Sequence, residues 1–119
     1  MKKILLVDDS KASRMMIKLC LPKPEPVYEV EEADGGKRCL DLYRASPYSL
    51  VLLDLTMPEM DGFQTLEALK QLDPSAKVVV VTADIQPRAQ ERVMALGALE
   101  VVPKPPSKDK MKAILEKYL

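Results

Sequence analysis

Ser49-Leu50-Val51-Leu52-Leu53-Asp54-Leu55-Thr56-Met57-Pro58-Glu59-Met60-Asp61-Gly62 is the stretch that decides the fold. Leu50, Val51, Leu52, Leu53 and Leu55 are apolar, and a single acid, Asp54, interrupts them. A short apolar run bounded by turn residues reads as a strand buried on both faces. Asp54 falls where that strand runs out, and Thr56 to Gly62 has the residues of a loop leading into a helix. A carboxylate at the end of a buried strand is costly to desolvate unless something pairs with it. Other groups of the chain must therefore reach it.

On the N-terminal side, Lys3 to Val7 reads as a first buried strand, and Ser10 as the N-cap of a helix with Met15, Met16, Leu19 and Cys20 on its inner face. Pro22, Pro24 and Pro26 end that helix and impose an extended, stiff connection, LPKPEPV, over residues 21–27. Tyr28 to Glu32 alternates apolar and acidic residues, the pattern of an edge strand with one wet face. Asp34-Gly35-Gly36 turns into a second helix with Leu40 and Tyr43 inward, closed by Ser46-Pro47. On the C-terminal side, Asp61 caps a third helix bearing the stripe Phe63, Leu66, Leu69 and Leu72. Lys77 to Val81 runs through four valines into Thr82 as a fourth strand. Asp84 caps a fourth helix with Pro87 in its first turn and Ile85, Ala89, Val93 and Leu96 inward, ended by Gly97. Leu99 to Val102 is a fifth strand, and Pro103 at its end suits a sheet edge. Ser107 caps a last helix with Met111, Ile114, Leu115 and Tyr118 on one side. Five βα units in succession imply an α/β fold: a doubly wound parallel sheet with helices on both faces. Residues 1–119 read as one domain with no output domain attached.

Equal numbers of basic and acidic residues, 18 of each, leave no net field, which excludes nonspecific nucleic-acid or membrane binding as the main role. No apolar run approaches a membrane span, and the apolar part of the N-terminus is too short for a signal peptide and ends in two acids, so a cytoplasmic location is expected. Cys20 and Cys39 read as buried free thiols. With no histidine, no C-x-x-C, no Walker loop and no G-x-G-x-x-G, zinc, redox and nucleotide-fold motifs are absent.

Ligands of open α/β sheets bind beyond the carboxyl ends of the strands. The first strand ends in Asp8-Asp9, the third in Asp54, the fourth in Thr82 and the fifth near Lys104. Each has a bland reading when taken alone: Asp8, Asp9 and Ser10 as helix caps, Thr82 as a β-branched strand residue, Lys104 as a solvated cation. Together they place three acids, a hydroxyl and an ammonium on one rim. Clustered carboxylates repel unless a cation sits among them, and an all-oxygen donor set suits magnesium.

The ordered set Val7-Asp8-Asp9-Ser10, Leu53 to Gly62, Val81-Thr82-Ala83 and Lys104-Pro105 resembles the response-regulator receiver domains, over the whole chain. The resemblance implies a flavodoxin-like (βα)5 fold with strand order 2-1-3-4-5. It implies that Asp54 takes a phosphoryl group from the phosphohistidine of a sensor histidine kinase or phosphotransfer protein, a known kind of carboxylate nucleophile. Asp8, Asp9, Asp54 and the backbone carbonyl of Thr56 would hold Mg2+. Lys104, Thr82 and the backbone N–H of Ala83 would bind phosphoryl oxygens, and the Lys104-Pro105 bond would be cis. Phosphorylation would draw the Thr82 loop inward and shift the fourth helix, fifth strand and fifth helix. A downstream protein such as a flagellar switch or an adaptor would read that face, in chemotaxis or a phosphorelay, and a phosphatase could reset it. Direct nucleic-acid and membrane contacts are not implied. Self-catalysed phosphotransfer and dephosphorylation would be the only chemistry.

Three features depart from the family pattern. Val101 stands where receivers usually carry a Tyr or Phe three residues before the lysine, and a valine has no large rotamer swing to make. The proline-rich connection looks longer than usual, and Pro106 follows Pro105 where an aromatic or aliphatic residue is common. Thr56 and Asp84, two residues after Asp54 and Thr82, occupy positions that influence loss of the phosphoryl group in the family. Competing readings are a haloacid-dehalogenase-type phosphatase, which needs D-x-D where this chain has the adjacent pair Asp8-Asp9; a flavodoxin-type flavin carrier, which needs a hydroxyl-rich loop there; and a degenerate receiver that only binds partners, which the intact set of five polar residues opposes.

Overall fold

The computed structural model describes residues 2–22 and 28–119. Pro24 and Pro26, and with them most of the proline-rich connection, lie outside the described residues. Five strands, β1 (Lys2–Val7), β2 (Tyr28–Ala33), β3 (Leu50–Leu53), β4 (Val78–Thr82) and β5 (Glu100–Pro103), alternate with five helices, α1 (Lys11–Cys20), α2 (Gly36–Ala45), α3 (Gly62–Leu72), α4 (Pro87–Ala95) and α5 (Lys108–Tyr118). The strands form one parallel sheet in the order β2-β1-β3-β4-β5, so the strands expected at the edges, the second and the fifth, are the edges.

Side chains alternate across a strand, and the three central strands, apolar over Ile4 to Val7, Leu50 to Leu53 and Val78 to Val81, therefore build two cores. Leu5, Val7, Val51, Leu53, Val78 and Val80 face α2, α3 and α4, meeting Cys39, Leu40, Tyr43, Leu66, Leu69, Ala89 and Val93. Ile4, Leu6, Leu50, Leu52, Val79 and Val81 face α1 and α5, meeting Ile17, Met111, Ile114 and Leu115. Each central strand is thus sealed on both sides, and its polar residues can appear only where it ends.

The helix starts follow local chemistry. Ser10 and Ser107 cap α1 and α5 through Ser13 N–H and Lys110 N–H, and Asp61 with Gln64 forms a reciprocal capping box on α3. Helix α4 differs from expectation: it begins at Pro87 with Gln86 as N-cap, and Asp84 instead accepts the Gln86 N–H at 3.2 Å in the preceding loop. Gly97, at φ 106°, supplies the left-handed turn that ends it.

Several inward assignments are corrected. Met15 and Leu19 point to solvent, and α1 is held to the sheet by Ile17 with Met16 and Cys20 at its margin. Leu72, the last residue of α3, and Ile85, in the loop before α4, are also exposed. Cys39 is buried, whereas Cys20 is only partly so and its thiol donates to the carbonyl of Pro106 at 3.3 Å, tying the loop after β5 to α1. No helix among the described residues is long and apolar enough to cross a membrane.

Candidate functional site

The sheet hydrogen-bond ladder continues one residue past three strand ends, and those residues are Asp8, Asp54 and Lys104. Asp8 N–H donates to Ala33 O at 3.1 Å, Asp54 N–H to Val7 O at 2.9 Å and Lys104 N–H to Thr82 O at 2.9 Å. Val7 is in register with Leu53, and Leu53 with Val80, so the two acids leave the sheet side by side. Their backbones are thus held by hydrogen bonds of the sheet itself.

Lys104 Nζ lies 2.6 Å from Asp8 Oδ2 and 3.5 Å from Asp54 Oδ1, bridging the two acids. Asp8 is 1% exposed and Asp54 6%. Asp9 is exposed and forms no hydrogen bond or ion pair with a described residue. One carboxylate oxygen from each of Asp8, Asp9 and Asp54 lies within 4.8 Å of the others. The rim therefore carries three carboxylates against one ammonium, and Asp9 is open to a cation. Oxygen donors at this spacing fit a hard divalent ion such as Mg2+.

The two buried acids sit in opposite electrostatic situations. Burial pushes Asp8 up, but hydrogen bonds from Lys104, the Ser13 hydroxyl and the Ser10 N–H together outweigh it, and its carboxyl ends below the ordinary range. Burial also pushes Asp54 up; the attraction of Lys104 and the N–H groups of Thr56 and Leu55 oppose this, the neighbouring Asp8 charge adds to it, and the net is raised. Asp54 is the acid whose charge is left undersatisfied.

Thr82 is fully buried, and its hydroxyl accepts the Asp84 N–H at 3.0 Å, so it is engaged with its own loop and not with the carboxylates. Ala83 and Thr56 are exposed at the ends of their strands. The Lys104-Pro105 peptide is cis. Val101 pairs with Val80 on β5 and packs, partly buried, in the core layer shared with Ala89 and Val93 of α4.

Three contributors escaped the sequence reading. Ser13, on the first turn of α1, donates its hydroxyl to Asp8 Oδ2 at 2.6 Å. Arg14 donates to the Asp8 carbonyl at 2.6 Å and pairs with Glu32 at 2.7 Å. Gly62 brings α3 against the site: a Cβ there would stand 2.3 Å from Asp54 O and 2.5 Å from Leu55 Cα. Gly62 carries a signal, as a glycine directly after a capping aspartate; a serine and an arginine on a helix surface carry none.

A sequence model of the response regulator receiver domain family matches residues 4–116. The chain belongs to that family. The receiver is 35% identical over 117 residues to the chemotaxis protein CheY of Bacillus subtilis (strain 168), covering 98% of this chain and 97% of the relative. It is 37% identical over 117 residues to the chemotaxis protein CheY of Listeria monocytogenes, covering 98% of each chain. Among solved structures, the receiver superposes on Vibrio cholerae chemotaxis protein CheY4 with a TM-score of 0.88 at 27% identity, covering 100% of this chain and 99% of the other. It superposes on the response regulator TrrA of Thermotoga maritima, solved in complex with Mg2+-BeF, with a TM-score of 0.84 at 30% identity over 100% of both chains. The receiver is a CheY-like response regulator domain.

Proposed function

We propose that this receiver accepts a phosphoryl group on Asp54 and switches a protein partner on or off. The observation that carries the reading is the bridge of Lys104 between Asp8 and Asp54 beside the open Asp9. Asp54 is the nucleophile: one carboxylate oxygen bonds to phosphorus as the bond from phosphorus to the donor's imidazole nitrogen breaks, and the imidazole leaves. Asp8, Asp9, Asp54 and the carbonyl of Thr56 would hold Mg2+, which when bound would neutralise charge on the transferring group. Lys104, 3.5 Å from Asp54 Oδ1 before transfer, follows the new negative charge onto a phosphoryl oxygen. Thr82 turns its hydroxyl from the Asp84 N–H to another, alongside the N–H of Ala83.

The Thr82 loop then moves toward the site and biases α4, β5 and α5 between two pre-existing arrangements. Val101 fills the space beneath α4 in both, so the change is carried by loop and backbone displacement. Residues 1–119 form the receiver, acting in the cytoplasm between a histidine kinase or phosphotransfer protein and a downstream protein, in chemotaxis or a phosphorelay. The similarity to CheY proteins favours a flagellar switch as the downstream protein. Catalysis is confined to its own phosphorylation and dephosphorylation.

Incubation with Mg2+ and acetyl phosphate, followed by intact-mass spectrometry, is expected to add one phosphoryl group. The Asp54→Asn variant should add none. A wild-type chain that stays unmodified under conditions that label a receiver control refutes the reading.

A further inference from the structure

The Ser13 hydroxyl is oriented at both ends of its residue. Its own N–H donates to the Ser10 cap at 3.1 Å, and its Oγ donates to Asp8 Oδ2 at 2.6 Å. That oxygen also receives Lys104 at 2.6 Å, while Oδ1 receives the Ser10 N–H at 2.9 Å. Among the described residues Lys104 is the only cation paired with the Asp8 carboxylate. Phosphoryl binding asks Lys104 to leave Asp8 for an oxygen on Asp54. An acid that is 1% exposed would then lose its one side-chain cation and share the metal with two other carboxylates, a penalty that grows if its remaining donors are missing.

We propose that Ser13 is a positioning residue: its hydroxyl keeps the buried Asp8 carboxylate satisfied and in place, so that Lys104 is free to move to the phosphoryl group. This rests on the proposed role of Asp54 and Lys104. It predicts a separation of two affinities. Without the hydroxyl, Asp8 grips Lys104 more firmly, so binding that requires Lys104 to move weakens. Binding of the metal alone, which does not require Lys104 to pass to a phosphoryl oxygen, weakens far less.

The test titrates Mg2+ alone, and then beryllofluoride at saturating Mg2+, into the wild type and into Ser13→Ala, Ser13→Val and Ser13→Thr, followed by amide NMR shifts. Alanine is the best helix former, so the first variant is expected to keep α1; valine and threonine match each other in shape and differ in the hydroxyl. Ser13→Ala and Ser13→Val should bind beryllofluoride about tenfold more weakly, the effect of losing one hydrogen bond to a charged group, with Mg2+ affinity within about twofold of wild type. Ser13→Thr should recover wild-type beryllofluoride binding. Unchanged beryllofluoride affinity in Ser13→Ala and Ser13→Val overturns the inference. So does parallel loss of both affinities, which would mark Ser13 as merely structural. A wild type that binds Mg2+ but never beryllofluoride overturns the reading of Asp54 and this inference with it.

Discussion

Replacing Lys104 with methionine removes the ammonium and keeps the bulk of the side chain, leaving Asp8 and Asp54 as adjacent buried acids. Breaking a buried ion pair from one side costs about 3–5 kcal/mol, because the remaining charge is stranded. Two features of this site reduce that figure. The Lys104 side chain is 16% exposed, so part of its attraction is screened, and Asp8 retains the Ser10 N–H and the Ser13 hydroxyl. A loss of about 2–3 kcal/mol is therefore expected for the metal-free protein at neutral pH. An unfolding entropy of about 2.1 cal/mol/K per residue over this chain converts that to a fall of roughly 10 °C in Tm. Mg2+ should restore more stability to Lys104→Met than to the wild type, since the ion then supplies the only positive charge at the rim. The deficit should also narrow as pH falls into the carboxylate range, where the stranded acids can take up protons. The assay is urea and thermal unfolding by circular dichroism, with chelator and with Mg2+, because the chain has no tryptophan. Equal midpoints for variant and wild type in chelator at neutral pH, or equal gains on adding Mg2+, would refute the argument that Lys104 neutralises this rim.

Gly62→Ala should destabilise the chain by about 1–3 kcal/mol, as overpacking does, because the new Cβ meets backbone at 2.3 and 2.5 Å and backbone cannot swing aside. This exceeds the gain of about 1 kcal/mol from helix propensity. The same unfolding assay checks it, and slower labelling by acetyl phosphate should accompany it because the displaced atoms belong to Asp54 and Leu55. Thr82→Ala should leave labelling of Asp54 largely intact while weakening phosphorylation-dependent partner binding, measured with the identified partner by calorimetry. Normal partner binding by that variant would remove Thr82 from the switch.

The sheet could be read from the chain because its three central strands are apolar through their interior positions, a pattern that two-sided burial explains. The rim followed from the same fact: with every interior position apolar, Asp8, Asp54 and Thr82 had nowhere to lie but the strand ends. The helices were less transparent. In α1, apolar residues occur on both sides, and Met15 and Leu19 face solvent because Ile17 is the residue aimed at the sheet. Hydrophobicity alone does not distinguish these sides. The start of α4 was misplaced because Asp84 has the chemistry of a cap, yet Pro87 at the first helical position makes Gln86 the cap. Ser13 was invisible for a related reason. Its partner is five residues away around the corner of a strand-to-helix turn, a relation that neither the helical nor the strand period describes.

Asp8 and Asp54 look interchangeable in sequence, each an acid directly after a buried strand, and the structure separates them by their donors. Asp8 holds three strong ones, from Lys104, Ser13 and the Ser10 N–H, and burial is overcome. Asp54 holds backbone N–H groups and a more distant Lys104, and burial prevails. Folding therefore favours the charged form of Asp8 and works against the charged form of Asp54. An acid held in this state gains most from whatever brings positive charge to it, which is what a divalent ion does. Strengthening the protein's own hold on Asp54 would stabilise the empty site and reduce that gain. The undersatisfied Asp54 is thus the acid of this rim with most to gain from a bound cation, and the Asp8 charge beside it, itself well satisfied, adds to that need.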